Sequence, residues 1–285
     1  MFAGKPPSSS SLGEEKRVPS LLLSTARGAI RVAHSSGTKD DHDVRHAGRT
    51  ASRLGCQRDY ARSVQTQPEA VDLAAMAAID AAAIAGAKQT LRKAILFRRD
   101  SRTSYQRQRD DNLRMSLLEA ALQDRIPDTV AAYLSHGSEP GTLQLVAWLA
   151  ANRVRVLLPV LSHPIGGRLD KPAWAAYEGP DSLRIGAYSI LEPTGEVVPS
   201  EQLPEAELII CPGLAANLHG DRLGRGGGWY DRALRHASQS APVWVLLNDD
   251  EVLETIPMHA WDHRVDVIVT PTRMITCEPS VLCNL

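Results

Sequence analysis

The chain has 285 residues, 43% of them hydrophobic, with 32 Lys+Arg against 33 Asp+Glu, enough for one large domain or two small ones. The charge is uneven: residues 1–70 hold 11 Lys+Arg against 7 Asp+Glu, and the remainder holds 21 against 26, so the part with fold-forming periodicity is mildly acidic. That balance argues against a general nucleic-acid-binding surface, and Asp80 interrupts the Ala-rich stretch over 73–87 before it reaches the roughly 20 apolar residues of a membrane helix.

Residues 1–70 are rich in Ser, Arg, Gly and His, carry Pro6, Pro7, Pro19 and Pro68, and show no apolar period beyond Leu21, Leu22 and Leu23. Such a segment buries too little surface to offset its ordering entropy and reads as a disordered low-complexity extension. A start codon assigned too far upstream, with Met76 as the internal candidate, is the other reading. A transit peptide would not welcome Glu14, Glu15, Asp40, Asp41 and Asp43. Cys56, Cys211, Cys277 and Cys283 make neither a CxxC pair nor a zinc spacing, as expected of reduced thiols in a cytosol.

From about residue 86, Leu91, Ile95, Leu113, Leu117, Leu118, Ala121 and Leu122 recur at helical spacing and predict two helices with a break near Asp110 and Asp111. A strand over 129–134, a helix over 141–152 with Leu145, Val146 and Leu149 on one face, and a strand over 153–158 ending at Pro159 make a strand–helix–strand unit. Further strands are predicted at 184–191, 207–211, 243–247 and 265–270, and a helix over 229–236. This alternation predicts an α/β fold over residues 86–280, a single three-layer α/β/α domain with a mainly parallel sheet. In such a sheet ligands sit outside the carboxyl ends of the strands.

The richest segment follows the strand ending at Cys211, Pro212 and Gly213. Between Gly220 and Arg235 it reads GDRLGRGGGWYDRALR, with four glycines in residues 224–228. Glycines let backbone N–H groups approach a ligand without a Cβ in the way, and a helix starting at Trp229 aims its positive end at the same place. A glycine cluster alone can be a passive surface loop. Here Arg222 and Arg225 add planar donors for phosphate oxygens, and Asp231 adds a carboxylate for magnesium. The pattern is neither a GxxxxGK[ST] loop nor a GxGxxG fingerprint.

RLGRGGGWYD, preceded by a strand ending in PGL, resembles the signature of the 5-formyltetrahydrofolate cyclo-ligase family, and three further segments match in order, so that the likeness covers about residues 86–275. Lys88, Gln89, Thr90, Leu91 and Arg92 resemble the family's N-terminal Lys-x-x-x-Arg, which implies contact with ATP phosphates; a solvated basic helix face would look the same. The glycine segment implies further ATP contacts at Arg222, Leu223, Gly224, Arg225, Gly226, Gly227, Gly228, Trp229 and Tyr230. YLSHGSEPGT, residues 133–142, resembles the folate-binding segment, which implies Leu134 and Glu139 as substrate contacts together with Arg225, Gly226, Gly227, Gly228 and Trp229. HAWDHRVDVIVTP, residues 259–271, resembles the closing segment and implies that Asp266 joins Asp231 at a magnesium ion. The family commonly has tyrosine where this chain has Trp229.

The resemblance implies a cytoplasmic enzyme that uses ATP and magnesium to close 5-formyltetrahydrofolate to 5,10-methenyltetrahydrofolate, releasing ADP and phosphate through a phosphorylated formyl group. Such a transfer rests on positioning and charge neutralisation more than on a protein nucleophile, which makes Arg225 the implied catalytic residue. It implies small-molecule partners, folate and ATP, and neither nucleic acid nor membrane. The fold by itself would also suit sugar-phosphate isomerases and CoA transferases. An RNA-binding reading of the glycine–arginine loop and the basic extension is opposed by the acidic domain.

Overall fold

The structure, a computed structural model, describes residues 73–278; the expectations for residues 1–70, Cys56 and Cys283 lie outside them. Helix α1 (Leu73–Asp100) begins in the Ala-rich stretch, where helix propensity is highest, so it starts well before residue 86. Its buried positions Lys88, Ile95 and Arg99 fall on one face. Helix α2 (Ser104–Leu122) starts at a capping box between Thr103 and Gln106, which places the break at 101–103 and not at Asp110 and Asp111. Those two acids are interior to α2, where Asp110 is buried against Arg102 and Arg109. Local pattern misplaced the break because a cap outweighs a polar pair inside a helix.

The strands follow in order: β1 (Thr129–Ala131), then helix α3 (Leu143–Ala151), β2 (Arg155–Ser162), β3 (Arg168–Ala176), β4 (Leu183–Ile185), β5 (Leu191–Pro193), β6 (Val197–Pro199), β7 (Leu208–Pro212), β8 (Ala215–Ala216), β9 (Arg222–Leu223), helix α4 (Trp229–Ala233), β10 (Val243–Leu246), β11 (Val267–Val269) and β12 (Met274–Thr276). Eight of them form one sheet in the order β12-β11-β10-β7-β1-β2-β3-β6. The centre, β2-β1-β7-β10-β11, is parallel, and β3, β6 and β12 add antiparallel edges. The mainly parallel α/β sheet is therefore present.

Residues alternate between its two faces. Val130, Val156, Leu158, Leu208 and Ile210 pack with α2 and α3, while Ala131, Leu157, Ile209, Cys211 and Val245 pack with Ala233 and Leu234 at the other face. That second covering layer is thin, a five-residue helix continued by 3₁₀ turns. A third cluster, Ile95, Leu214, Ala215, Leu223 and Ile256, seats α1 beside the glycine segment.

Two strand expectations are corrected. Pro159 lies inside β2 instead of ending it. The Leu157 carbonyl accepts the Ala132 N–H, so by alternation residue 159 faces the same side, where β1 has already ended and a missing N–H costs nothing. Residues 184–191 are not one strand: β4 and β5 form a hairpin whose turn holds Tyr188 and Ser189 at positive φ. Strand β3, which lies between β2 and β6, went unpredicted because charged residues and Pro172 hide its period.

Candidate active site

The order of the sheet reverses at β1, with β2 on one side and β7 on the other, and ligand crevices in open α/β sheets form at such a point. Beyond the carboxyl ends of β1 and β7 lies a cleft of about 660 Å³, lined from β1 by Tyr133 and Leu134 and from β7 by Pro212 and Gly213. The glycine segment, the middle of α1, the β4–β5 hairpin and residues 259–262 complete its walls.

The glycine loop leaves β9, whose Leu223 carbonyl accepts the Leu214 N–H, and turns at Gly226 (φ 102°) and Gly228 (φ 62°) before α4 starts. Both angles lie where side chains are strained, so glycine is needed there. Arg92 reaches across from α1 and donates from Nε to the Gly224 carbonyl at 2.9 Å.

Arg222 and Arg225 take different places. Arg222 is buried, donating to the Pro212 carbonyl at 3.1 Å and to Asp231 Oδ1 at 2.9 Å, and so ties the end of β7 to α4. Arg225 is nearly half exposed, with Nε 3.0 Å from Glu139 Oε1. Glu139 in turn accepts the His136 N–H at 2.9 Å, and its loop is pinned by Asp111, which accepts the Gly141 N–H, and by Tyr133, whose hydroxyl donates to the Pro140 carbonyl.

Two phenols floor the cleft. Burial, and then the Glu139 carboxylate, push the Tyr133 phenol well above its ordinary range; burial does the same to Tyr230, whose hydroxyl is enclosed and has no hydrogen-bond partner among the described residues. Both phenols are neutral, and of the two Tyr133 donates, to the Pro140 carbonyl. Trp229 meets Tyr230 and Trp174 edge to face, with ring centroids 4.8 and 5.0 Å apart.

Of the five residues expected on α1, Lys88 and Arg92 line the cleft, whereas Gln89 and Thr90 are exposed and Leu91 packs into the third cluster. Lys88 is buried, in an ion pair with Asp262 and with Nζ 3.0 Å from His259 Nδ1. Asp262, His259 and Trp261, which line the cleft, were missed; their signal was the same closing segment that suggested Asp266. The hairpin residues Tyr188, Ile190 and Leu191 were also missed, since nothing local marks them as a wall.

Asp231 lines the cleft and Asp266 does not. Asp266 begins the extended segment leading into β11, and its Oδ2 accepts the Val243 N–H at 2.7 Å. Among the described residues no three His, Cys, Asp or Glu side chains gather as a metal site. Both carboxylates act on Cys211, whose thiol is pushed up to about 11, first by burial and then, against the lowering effect of Arg222, by Asp231 and Asp266.

A model of the 5-formyltetrahydrofolate cyclo-ligase family matches residues 84–271. A 5-formyltetrahydrofolate cyclo-ligase of Mycolicibacterium smegmatis is 40% identical over 147 residues, 52% of this chain and 75% of that one, and that of Escherichia coli is 34% identical over 149 residues, 51% and 79%. The 5,10-methenyltetrahydrofolate synthetase of Aquifex aeolicus superposes with a TM-score of 0.58 at 27% identity, over 70% of this chain and 96% of that one. The Mycoplasma pneumoniae synthetase shares the fold, with a TM-score of 0.51 at 20% identity over 65% and 98%.

Proposed function

Because the chain belongs to the 5-formyltetrahydrofolate cyclo-ligase family, which converts 5-formyltetrahydrofolate to 5,10-methenyltetrahydrofolate, we propose that it drives this closure with ATP, as a cytoplasmic enzyme, through a phosphorylated formyl group. The formyl group on the ring nitrogen is amide-like, and its oxygen is a poor leaving group. Transfer of the γ-phosphoryl of ATP to that oxygen makes it a phosphate ester. The neighbouring folate nitrogen then attacks the activated carbon and gives up its proton to the departing phosphate as the C–O bond breaks, which leaves the methenyl bridge.

The observation that carries this reading is the contact between Arg225 and Glu139, which brings the glycine loop and the loop after β1 to one point. A phosphoryl donor on the first and a folate on the second then lie side by side. Arg225 neutralises charge on the transferred phosphoryl group, and Glu139 orients the folate against the apolar wall of Leu134, Ile190 and Leu191. The glycine loop contributes backbone donors. Arg92 supports it from α1, and Arg222 holds its base to β7. Gln89 and Thr90 stand outside the cleft, so their part in ATP binding is through the helix that presents Lys88 and Arg92.

For magnesium, Asp231 fits: it is a cleft-lining carboxylate, 22% exposed in its side chain, beside the glycine loop. A divalent ion there would be held by Asp231, phosphate oxygens and waters, and would offset phosphate charge. Asp266 fits less directly, since it lies outside the cleft; its joint use with Asp231 is a separate proposal with its own test below. Mixing purified protein with 5-formyltetrahydrofolate, ATP and magnesium should raise methenyl-folate absorbance, and omission of ATP should abolish the rise. No absorbance change in the complete mixture overturns the reading.

A further inference from the structure

Trp261 and His259 lie ring on ring, with centroids 4.4 Å apart and planes 7° from parallel. The stack is fixed from behind: Asp262 accepts the His259 N–H at 2.7 Å and pairs with Lys88, whose Nζ stands 3.0 Å from His259 Nδ1. Trp261 is nevertheless 58% exposed and lines the cleft. One face is covered by imidazole, and the exposed remainder leaves a large apolar surface in water, which a flat ligand would cover favourably. The other exposed aromatic ring of the cleft, Tyr188, differs in having the Arg168 guanidinium over it at 4.9 Å.

We infer that Trp261, backed by His259, is the platform on which the purine base of the nucleotide stacks. This rests on the ATP reading above and adds to it where the base goes. A pterin is also flat, but the surroundings favour the purine. From Trp261 the contacts run through His259 to Lys88, and Arg92 follows one helical turn later and touches the Gly224 carbonyl of the glycine loop. Base, cations and phosphate loop thus follow one another as base and phosphates do within a single nucleotide. The apolar wall and Glu139, which suit the folate, include none of these contacts. Lys88, which lines the cleft, accordingly also holds the stacked pair to α1 through His259 and Asp262.

The test compares ligands with and without a base on the full chain. Competition by ADP and by inorganic tripolyphosphate is measured for the native protein, Trp261→Ala and Trp261→Phe. Loss of a base-stacking ring should weaken ADP by about tenfold in Trp261→Ala, with Trp261→Phe between. Tripolyphosphate should move less than twofold. Equal weakening of both ligands, or an unchanged ADP affinity, overturns the platform alone. If the native protein binds neither, the ATP reading falls first and the platform with it.

Discussion

Arg225 Nε stands 3.0 Å from Glu139 Oε1, so a cation of the glycine loop touches the carboxylate of the loop that follows the first strand of the sheet. The pair is exposed on the arginine side, and its contribution to folding is therefore small. Arg225→Ala should lower turnover by about 10³-fold or more, as loss of a charge-neutralising arginine does in phosphoryl transfer, and should shift the melting temperature by less than about 2 °C. Arg225→Lys should recover only part of the rate, because a point charge does not reproduce a planar fork. Near-normal turnover in Arg225→Ala would remove its catalytic role.

Gly226 turns at φ 102°, and a Cβ added there would lie 3.2 Å from Arg92 Cζ. Gly226→Ala should therefore strain the loop by about 1–2 kcal/mol and displace the guanidinium that supports Gly224. Steady-state kinetics should show a KM for ATP raised more than the KM for folate. Equal changes in the two would place the loop's main role elsewhere.

The magnesium proposal predicts that Asp231→Asn needs several-fold more metal for half-maximal activity, because one anionic ligand is lost. If Asp266 shares the ion, Asp266→Asn does the same and the double variant is little worse than the poorer single one. Asp266 also accepts the Val243 N–H, so its variant should lose stability by up to about 1 kcal/mol. Independent losses with an unchanged metal requirement for Asp266→Asn would leave it as a strand-capping residue alone.

Arg99 and Glu251 form a buried two-pronged ion pair at 2.7 Å on both oxygens, and Arg99 also donates to the Gly213 carbonyl at the mouth of the cleft. Burial works against the Arg99 charge, but the hydrogen bond and the negative charge of Glu251 more than compensate and hold its pKa above the ordinary value. Removing one partner strands the other, so Glu251→Ala should cost about 3–5 kcal/mol in a denaturant titration. A loss below about 1 kcal/mol would show that water or a neighbouring group replaces the carboxylate.

Cys211 is fully enclosed under the cleft, and its thiol is pushed up to about 11. The unfolded thiol ionises near its ordinary value of about 8.5, so between the two values only the unfolded chain releases the proton. Stability carried by this group is complete below the lower value and declines as pH rises to the upper one. Urea midpoints should fall from pH 9 to 11, and Cys211→Ala should flatten that slope whatever it does to the absolute midpoint. An equal slope in the variant would assign the alkaline loss to the buried phenols Tyr133 and Tyr230 and to Cys277.

What the chain shows by itself is what neighbouring residues encode. The alternation of strands and helices, the turn chemistry of residues 224–228 and the placing of Lys88 and Arg92 one turn apart all follow from local spacing, and they point to an α/β sheet with a phosphate-type loop beyond a strand end. The tertiary structure decided the partners. Lys88 meets Asp262 and His259, Arg222 turns inward to Asp231 and Pro212 while Arg225 stays at the surface, and Asp266 faces the backbone of Val243. Each pairing joins residues whose distance is set by strand order and by the seating of α1 on Leu214 and Leu223, and no periodicity within one segment carries that information. The same reason hid the hairpin wall of Tyr188, Ile190 and Leu191: its side chains become a cleft surface only when β5 folds back on β4 and the hairpin comes to lie over the end of β2.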